Sequence, residues 1–79
     1  MDTVKIYAEL NEIFRDIFDD NSLTVSQQTT AADIADWTSL VHINLIVAVE
    51  EKFNIKFSMG EVIKMQNVGD MVNIISSRI

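Results

Sequence analysis

The sequence predicts an all-α fold, a four-helix bundle with a short third helix and a long loop between helices one and two. Three observations support this prediction. The chain has no proline and two glycines, and proline is the strongest helix breaker. Hydrophobic residues make up 48% of its 79 positions and recur at helical spacings. Because the chain has no cysteine and the length of one domain, 1–79, we expect packing alone to stabilise it.

The first helix is predicted over residues 2–18, DTVKIYAELNEIFRDIF. Asp2 and Thr3 are both suitable N-terminal caps. The apolar residues of the main face follow three-and-four spacing, and they are Val4, Tyr7, Leu10, Phe14, Ile17 and Phe18. Ile6 and Ile13 widen this face, as expected for a helix that packs on more than one neighbour.

A connection of about twenty residues, rich in Asp, Ser, Thr and Gln, separates the first two helices. A loop of this length needs side chains that hold it against the domain. Four apolar residues are spaced to do so: Leu23, Val25, Ile34 and Trp37. The segment TAAD, from Thr30, resembles a short helical turn with a polar cap. We therefore expect an ordered connection that crosses the bundle.

The second helix, roughly Ser39 to Phe53, has two apolar faces. At about 100° per residue, one face contains His42, Leu45, Ile46, Val49 and Phe53, and the almost opposite face contains Leu40, Ile43 and Val47. A central helix buried on both sides would explain this pattern. Alternatively, in so small a bundle, the second face stays open and serves as a docking surface.

Two start signals predict the remaining helices. SMGE has the capping-box spacing between Ser58 and Glu61, and it begins a short third helix, MGEVIKM. NVGD places Asn67 as a cap and Asp70 in the first turn, where its charge complements the helix dipole. The fourth helix then extends through apolar positions 71, 72, 74 and 75 and can reach Ile79.

The net charge of −6 repels phosphate backbones, so the sequence predicts no nucleic-acid binding and favours basic partners. The longest apolar run, LIVAV, is far shorter than the roughly 20 residues that a membrane span requires. The first residues, MDTVKIYAE, also lack the apolar core of a signal peptide. We expect no membrane span and a cytoplasmic protein.

The chain has few residues from which an active site or a metal site could be built. Its single histidine, His42, lies three residues after Ser39, so a helix would bring the two side chains near each other. No Gly-x-Ser-x-Gly elbow accompanies this pair. The loop carboxylates lack the calcium-loop pattern; they are Asp19, Asp20, Asp33 and Asp36. We predict no catalytic residue and no metal ligand, and we interpret His42 as a partly buried residue at the edge of the core.

Ser39 has two interpretations. Serine is a common helix cap, but Thr38 can fill that position equally well and leave Ser39 free on the first turn. A negatively charged group attached to Ser39 would then face unpaired amides and the positive end of the helix dipole. The position therefore suits a phosphodiester.

Three segments, in this order and spacing, resemble the acyl carrier proteins. The family has Asp-Ser-Leu at the start of helix two, Glu-Glu-x-Phe at its end and Thr-Val-Gly-Asp at the start of the last helix. The counterparts here are Ser39-Leu40, Glu50-Glu51-Lys52-Phe53 and Asn67-Val68-Gly69-Asp70. The resemblance covers essentially the whole chain, and it implies a four-helix bundle that carries its cargo without catalysis.

The resemblance also implies a cofactor and partners. A phosphopantetheinyl transferase would move 4'-phosphopantetheine from coenzyme A onto Ser39, and the terminal thiol of this arm would hold an acyl group as a thioester. Further implied partners are the acyl-transferring and acyl-modifying enzymes of a fatty-acid pathway or of a polyketide, aminoacyl or surface-sugar pathway. We expect a monomer that docks through Leu40, Ile43 and Val47, with Glu50 and Glu51 at the far end.

The chain departs from the family pattern around the serine. Thr38 occupies the position of the usual aspartate, and Val41 and Asn44 occupy positions that are often acidic in fatty-acid carriers. Two other hypotheses remain open. One is an unmodified helical interaction module that uses the second apolar face of helix two, and the other is a small hydrolase with His42 as its base.

Overall fold

Four α-helices and one 3-10 turn make up the secondary structure of the computed structural model, which describes residues 2–79. In chain order they are α1 (Thr3–Ile17), the 3-10 turn (Ala31–Asp33), α2 (Ser39–Phe53), α3 (Met59–Lys64) and α4 (Val68–Arg78). The predicted all-α fold, with its short third helix and long connection between the first two, is confirmed. The fourth helix ends one residue before Ile79.

Each α-helix begins at a polar cap that the sequence predicts. Asp2 and Asn67 each accept a hydrogen bond from the backbone N–H three residues later, at 2.9 and 2.8 Å respectively. Ser58 and Glu61 form the capping box: the Ser58 N–H donates to Glu61 Oε1 at 2.8 Å, and the Glu61 N–H donates to Ser58 Oγ at 3.2 Å. These bonds satisfy backbone donors that have no partner within the helix.

The core lies where α1 packs against both α2 and α4. Its largest fully buried side chains are Phe14, Ile6, Leu10, Leu45, Met71, Ile75, Val49 and Val68. None of the six residues of α3 is buried, so this helix lies on the surface of the bundle. The core therefore holds α2 through buried side chains, whereas no residue of α3 is buried in it.

The buried face of α1 is rotated from the predicted one. The apolar spacing predicts Val4 on the main face, yet this side chain is 78% exposed, so that prediction is wrong. Ile6 and Ile13, expected at the margin, are instead buried on either side of Leu10. Val4 lies about 120° around the helix from Leu10, which directs it away from the core.

The connection between α1 and α2 is ordered, as predicted, because α1 side chains hold its backbone. The Val25 N–H donates to Asn11 Oδ1 at 2.7 Å, and Arg15 Nε donates to the Leu23 carbonyl at 2.6 Å. All four apolar residues assigned to this task contact the core: Val25 is buried, and Leu23, Ile34 and Trp37 are partly buried. The connection therefore delivers the chain to the start of α2 in a fixed position.

Gly69 lies close to the connection between α1 and α2, so replacing it by alanine should destabilise the fold, and Gly60 provides the control. The Gly69 N–H donates to the Gln27 carbonyl at 3.0 Å, and a Cβ on Gly69 would come within 2.8 Å of that oxygen. Gly69→Ala is therefore expected to lower the free energy of unfolding by about 1–3 kcal/mol, despite the higher helix propensity of alanine. A Cβ on Gly60 would meet nothing within 4 Å, so Gly60→Ala should be neutral or slightly stabilising. Urea unfolding of both variants measures the difference, and equal stability of the two would contradict the close approach.

Arg78 connects the end of α4 to the start of α3. Its Nη1 donates to Glu61 Oε1 at 2.7 Å and to the Lys56 carbonyl at 2.9 Å, and its Nη2 donates to Glu61 Oε2 at 2.5 Å. The guanidinium, together with the Ser58 N–H, lowers the pKa of Glu61 from 4.5 to about 2. This pair is a long-range polar contact between α3 and α4.

Acid is expected to remove the contribution of this ion pair. A carboxyl whose pKa is depressed by folding stabilises the folded state above its unfolded pKa, and this stabilisation is lost as the pH falls through the folded value. For Glu61 the loss spans the range from 4.5 down to about 2. Urea midpoints of the wild type and of Glu61→Gln should therefore converge across this range, since Gln cannot titrate. A gap between the midpoints that stays constant with pH would show that Glu61 does not stabilise the fold through its charge.

Candidate functional site

The start of α2 presents Ser39 on the first turn with its hydroxyl outside the cap. Thr38 is the cap: its Oγ1 accepts from the Val41 N–H at 3.3 Å, and its carbonyl accepts from the His42 N–H at 2.9 Å. Ser39 is the first residue of the helix, and it is exposed. Of the two interpretations of Ser39, the structure favours the one in which Thr38 caps the helix.

The electrostatic environment of Ser39 favours a negative group. The N–H groups of Ser39 and Leu40 belong to the first turn of α2, where backbone donors have no acceptor within the helix. The first turn has no acidic side chain, so nothing there offsets the positive end of the helix dipole. An anion on the Ser39 oxygen would meet free donors and a favourable field.

A cleft of about 420 Å³ opens beside Ser39, between the first half of α2 and the segment that contains α3. Its polar lining comes from Thr38, Ser39, His42, Gln66 and Asn67. Its apolar lining includes Ile43, Val62, Ile63, Met65 and Met71, and Trp37 and Ala31 complete it. The helical spacing predicts that Ser39 and His42 lie near each other, but no local pattern indicates the contribution of α3 and the following loop.

Trp37 joins this cleft to the core. Its Nε1 donates to His42 Nδ1 at 3.1 Å, and its ring meets Phe14 edge-on, with centroids 5.3 Å apart at 77°. His42 is half-buried at the edge of the core, as predicted. The group bonded to His42 Nδ1 is thus an indole, whereas a Ser-His-Asp site would need a carboxylate there. The described residues, 2–79, also hold no group of three or more acidic or histidine side chains placed to bind a metal.

The second apolar face of α2 is open to solvent. Leu40, Ile43 and Val47 are 71%, 58% and 48% exposed. The alternative in which α2 is buried on both sides is therefore wrong, and a docking surface is structurally possible. On α3, Met59 and Ile63 are exposed as well. Their spacing of four residues is visible in the sequence, but a helix this short gives no sign of which face it buries.

Glu50 and Glu51, at the far end of this face, differ in their surroundings. Glu50 is half-buried, and its Oε2 accepts the Phe57 N–H at 2.8 Å, so it helps to hold the segment after α2. Glu51 is exposed. The sequence gives no sign of this difference, because the Phe57 contact depends on how the chain turns after α2.

A comparison with solved structures identifies the family. The chain is similar to the solution NMR structure of holo acyl carrier protein from Geobacter metallireducens, with a TM-score of 0.86 and 43% sequence identity. The match covers 91% of this chain and 83% of that one. The chain belongs to the acyl carrier protein family.

The resemblance and the bundle fold predicted from the sequence are both confirmed by this match. No family model and no curated protein matches the chain. Within residues 2–79 of this acyl carrier protein, every helix is too short or too polar to cross a membrane. The relative is a carrier protein in its holo form, and this bears on the role of Ser39.

Proposed function

We propose that this acyl carrier protein bears 4'-phosphopantetheine on Ser39 and carries acyl groups as thioesters on that arm. The main support is the exposed Ser39 hydroxyl on the first turn of α2, which stays outside the cap because Thr38 fills it. The holo state of the similar carrier protein supports the same assignment.

The residues around Ser39 fit such a group. Its phosphodiester would lie against the free N–H groups of Ser39 and Leu40 at the positive end of α2. The cleft beside Ser39 offers room for part of the arm or its cargo. When attached, the arm supplies the thiol that forms the thioester, which this cysteine-free chain lacks.

The attachment reaction requires from the carrier only a hydroxyl oxygen in the correct orientation. A bond forms between Ser39 Oγ and the phosphorus that bears the pantetheine, and the bond from this phosphorus to the leaving 3',5'-ADP breaks. The hydroxyl proton passes to a base of the transferase. Ser39 contributes the oxygen and α2 its orientation, so the transferase must provide the base and the affinity for coenzyme A.

The proposed docking surface is the open face of α2, formed by Leu40, Ile43 and Val47, with Glu50 and Glu51 at its end. Phosphopantetheinyl transferase and the acyl-transferring and acyl-modifying enzymes would bind there in turn. Such contacts must be modest in area, because a carrier has to leave each partner. Because this face is apolar and has few charges, it would bind enzymes of a fatty-acid or specialised pathway whose own docking surface is apolar.

The open face of α2 equally supports the rival hypothesis, an unmodified interaction module. That hypothesis requires the face to bind a second copy or a partner helix permanently. Sedimentation of the wild type and of Leu40→Glu separates the two. A wild-type dimer that dissociates in the variant would support the module, whereas a monomer in both cases would exclude its homodimer form.

The thioester itself can be tested in one preparation. Incubation with acetyl-coenzyme A and a broad-specificity phosphopantetheinyl transferase should add the acetylated arm, detected by intact mass. Hydroxylamine cleaves thioesters, so it should then remove the acetyl mass and leave the arm. A product that keeps its acetyl group through this treatment would place the acyl group on the wrong atom and contradict the proposal.

A further inference from the structure

Two exposed apolar residues of α3 lie beside the cleft that contains Ser39. Ile63 lines this cleft together with Ile43 of α2, so both helices contribute an apolar side chain to it. Met59 lies four residues before Ile63, about one helical turn away on the same side of α3. Met59 and Ile63 are 79% and 76% exposed, so neither is covered by the described chain. The α3 side of the cleft is therefore as open and apolar as the α2 side.

The exposed apolar residues of the two helices form one surface around the mouth of the cleft. We call this surface the cleft rim, and its members are Leu40, Ile43, Val47, Met59 and Ile63. Ser39 is exposed and lines the same cleft. Large apolar patches on a soluble protein commonly mark the place where a partner binds. A partner that covers the cleft rim would meet the Ser39 hydroxyl at the same time.

The cleft rim lies in a part of the chain with few charges. The chain has 12 acidic and 6 basic residues, yet residues 39–49 of α2 contain no Asp, Glu, Lys or Arg. Within the described residues, no side chain of these four types lines the cleft either. On α3, the Glu61 carboxylate already accepts from Arg78, and Lys64 is exposed and basic. A basic partner surface would therefore lose hydration here without gaining an acidic residue in return.

Two other occupants fit the cleft rim less well. The first acidic residues of α2, Glu50 and Glu51, lie about 16 Å or more along the helix from Ser39. A basic surface bound to them would be centred away from the hydroxyl. A second copy of this chain is also disfavoured, because each copy carries a net charge of −6 and the two would repel each other. An enzyme with an uncharged apolar surface avoids both costs.

We propose that the enzyme that modifies Ser39 docks on α2 and α3 together, through an uncharged apolar surface of its own, with Met59 and Ile63 as docking residues. This assignment rests on the proposed function, in which Ser39 receives the arm. It extends the docking surface from α2 to α3 and defines the chemistry of the partner. The centres of protein interfaces are depleted of charged residues and enriched in methionine, as the cleft rim is.

The test compares substitutions that place the same negative charge at equally exposed positions. Met59→Glu and Ile63→Glu change the cleft rim, whereas Val4→Glu changes a residue of α1 that is 78% exposed. The whole of α1 is described, and none of its residues lines the cleft. Each apo variant is incubated with saturating coenzyme A and a broad-specificity phosphopantetheinyl transferase. Intact mass gives the initial rate of arm addition at several carrier concentrations, and circular dichroism checks that each variant is folded.

Apolar docking predicts that Met59→Glu and Ile63→Glu each raise KM about tenfold, because a side chain in the contact becomes charged. The value of kcat should change little, since Ser39 and its cap are intact. Val4→Glu should keep the wild-type KM. A basic docking surface on the enzyme predicts the opposite sign, because it would attract the new glutamates. A KM for both cleft-rim variants at or below that of Val4→Glu overturns the inference.

Ile63→Gln separates loss of the apolar contact from repulsion between charges. Glutamine adds no charge, so apolar docking predicts that KM still rises, by a smaller factor than in Ile63→Glu. An unchanged KM in Ile63→Gln would mean that the glutamate acts by repulsion alone, and it would overturn the inference as well.

The same measurements keep the two proposals apart. If the wild type gains no arm, the proposed function is wrong and the inference falls with it. If the wild type gains the arm but the cleft-rim variants have the KM of Val4→Glu, only the inference is wrong.

Discussion

Replacing Phe14 by alanine is expected to lower the free energy of unfolding by about 3–5 kcal/mol, the usual cost of truncating a buried aromatic residue. Phe14 is the largest of the fully buried side chains of the core, and it packs against the ring of Trp37. Small domains are stable by only about 5–15 kcal/mol, so this single change removes a large part of the total. Urea unfolding followed by circular dichroism measures the loss.

Phe14→Leu is the matched control, because leucine refills most of the space. It should lose clearly less stability than Phe14→Ala. Any folded Phe14→Ala should also show altered Trp37 fluorescence, since the indole loses its edge contact with Phe14. Equal urea midpoints for Phe14→Ala and the wild type would mean that the core is not centred on Phe14.

The helix starts could be predicted because they depend on local chemistry. Thr38, Ser58 and Asn67 each accept from a backbone N–H three residues later, a relation that can be seen in the sequence itself. The start of α2 at Ser39 was predictable for this reason, as was the assignment of Thr38 as its cap. Ser39 could be singled out because it follows a residue that can take its place as cap.

Features that depend on tertiary packing could not be predicted. Val4 fits the apolar spacing of α1, yet its direction depends on where α2 and α4 pack. The ion pair between Glu61 and Arg78 joins residues 17 apart in the sequence, and no local pattern pairs them. Whether the second apolar face of α2 stays open depends on where the other helices pack, and no local pattern determines this.

The hydrogen bond from Trp37 to His42 depends both on local sequence and on tertiary packing. The two residues are five apart in the sequence, but Trp37 precedes the helix and His42 lies within it. Their contact depends on the bend of the chain at Thr38 and on Phe14 behind the indole. The sequence therefore indicates a half-buried histidine but not its hydrogen bond with Trp37.

Ser39→Ala is expected to abolish attachment of 4'-phosphopantetheine completely, because it removes the only atom of residue 39 that can bond to phosphorus. The change should leave the fold intact. Thr38 provides the cap, and alanine has a higher helix propensity than serine. Matching circular dichroism spectra and urea midpoints for variant and wild type would show that the loss is chemical.

Intact-mass analysis after incubation with coenzyme A and a broad-specificity phosphopantetheinyl transferase is the most direct test of Ser39 as the attachment site. Ser76→Ala, which removes another exposed serine, is the control. We expect the wild type and Ser76→Ala each to gain the mass of one 4'-phosphopantetheine group, and Ser39→Ala to gain none. A wild type that stays unmodified with every transferase, or a Ser39→Ala that still gains the arm, would contradict the assignment.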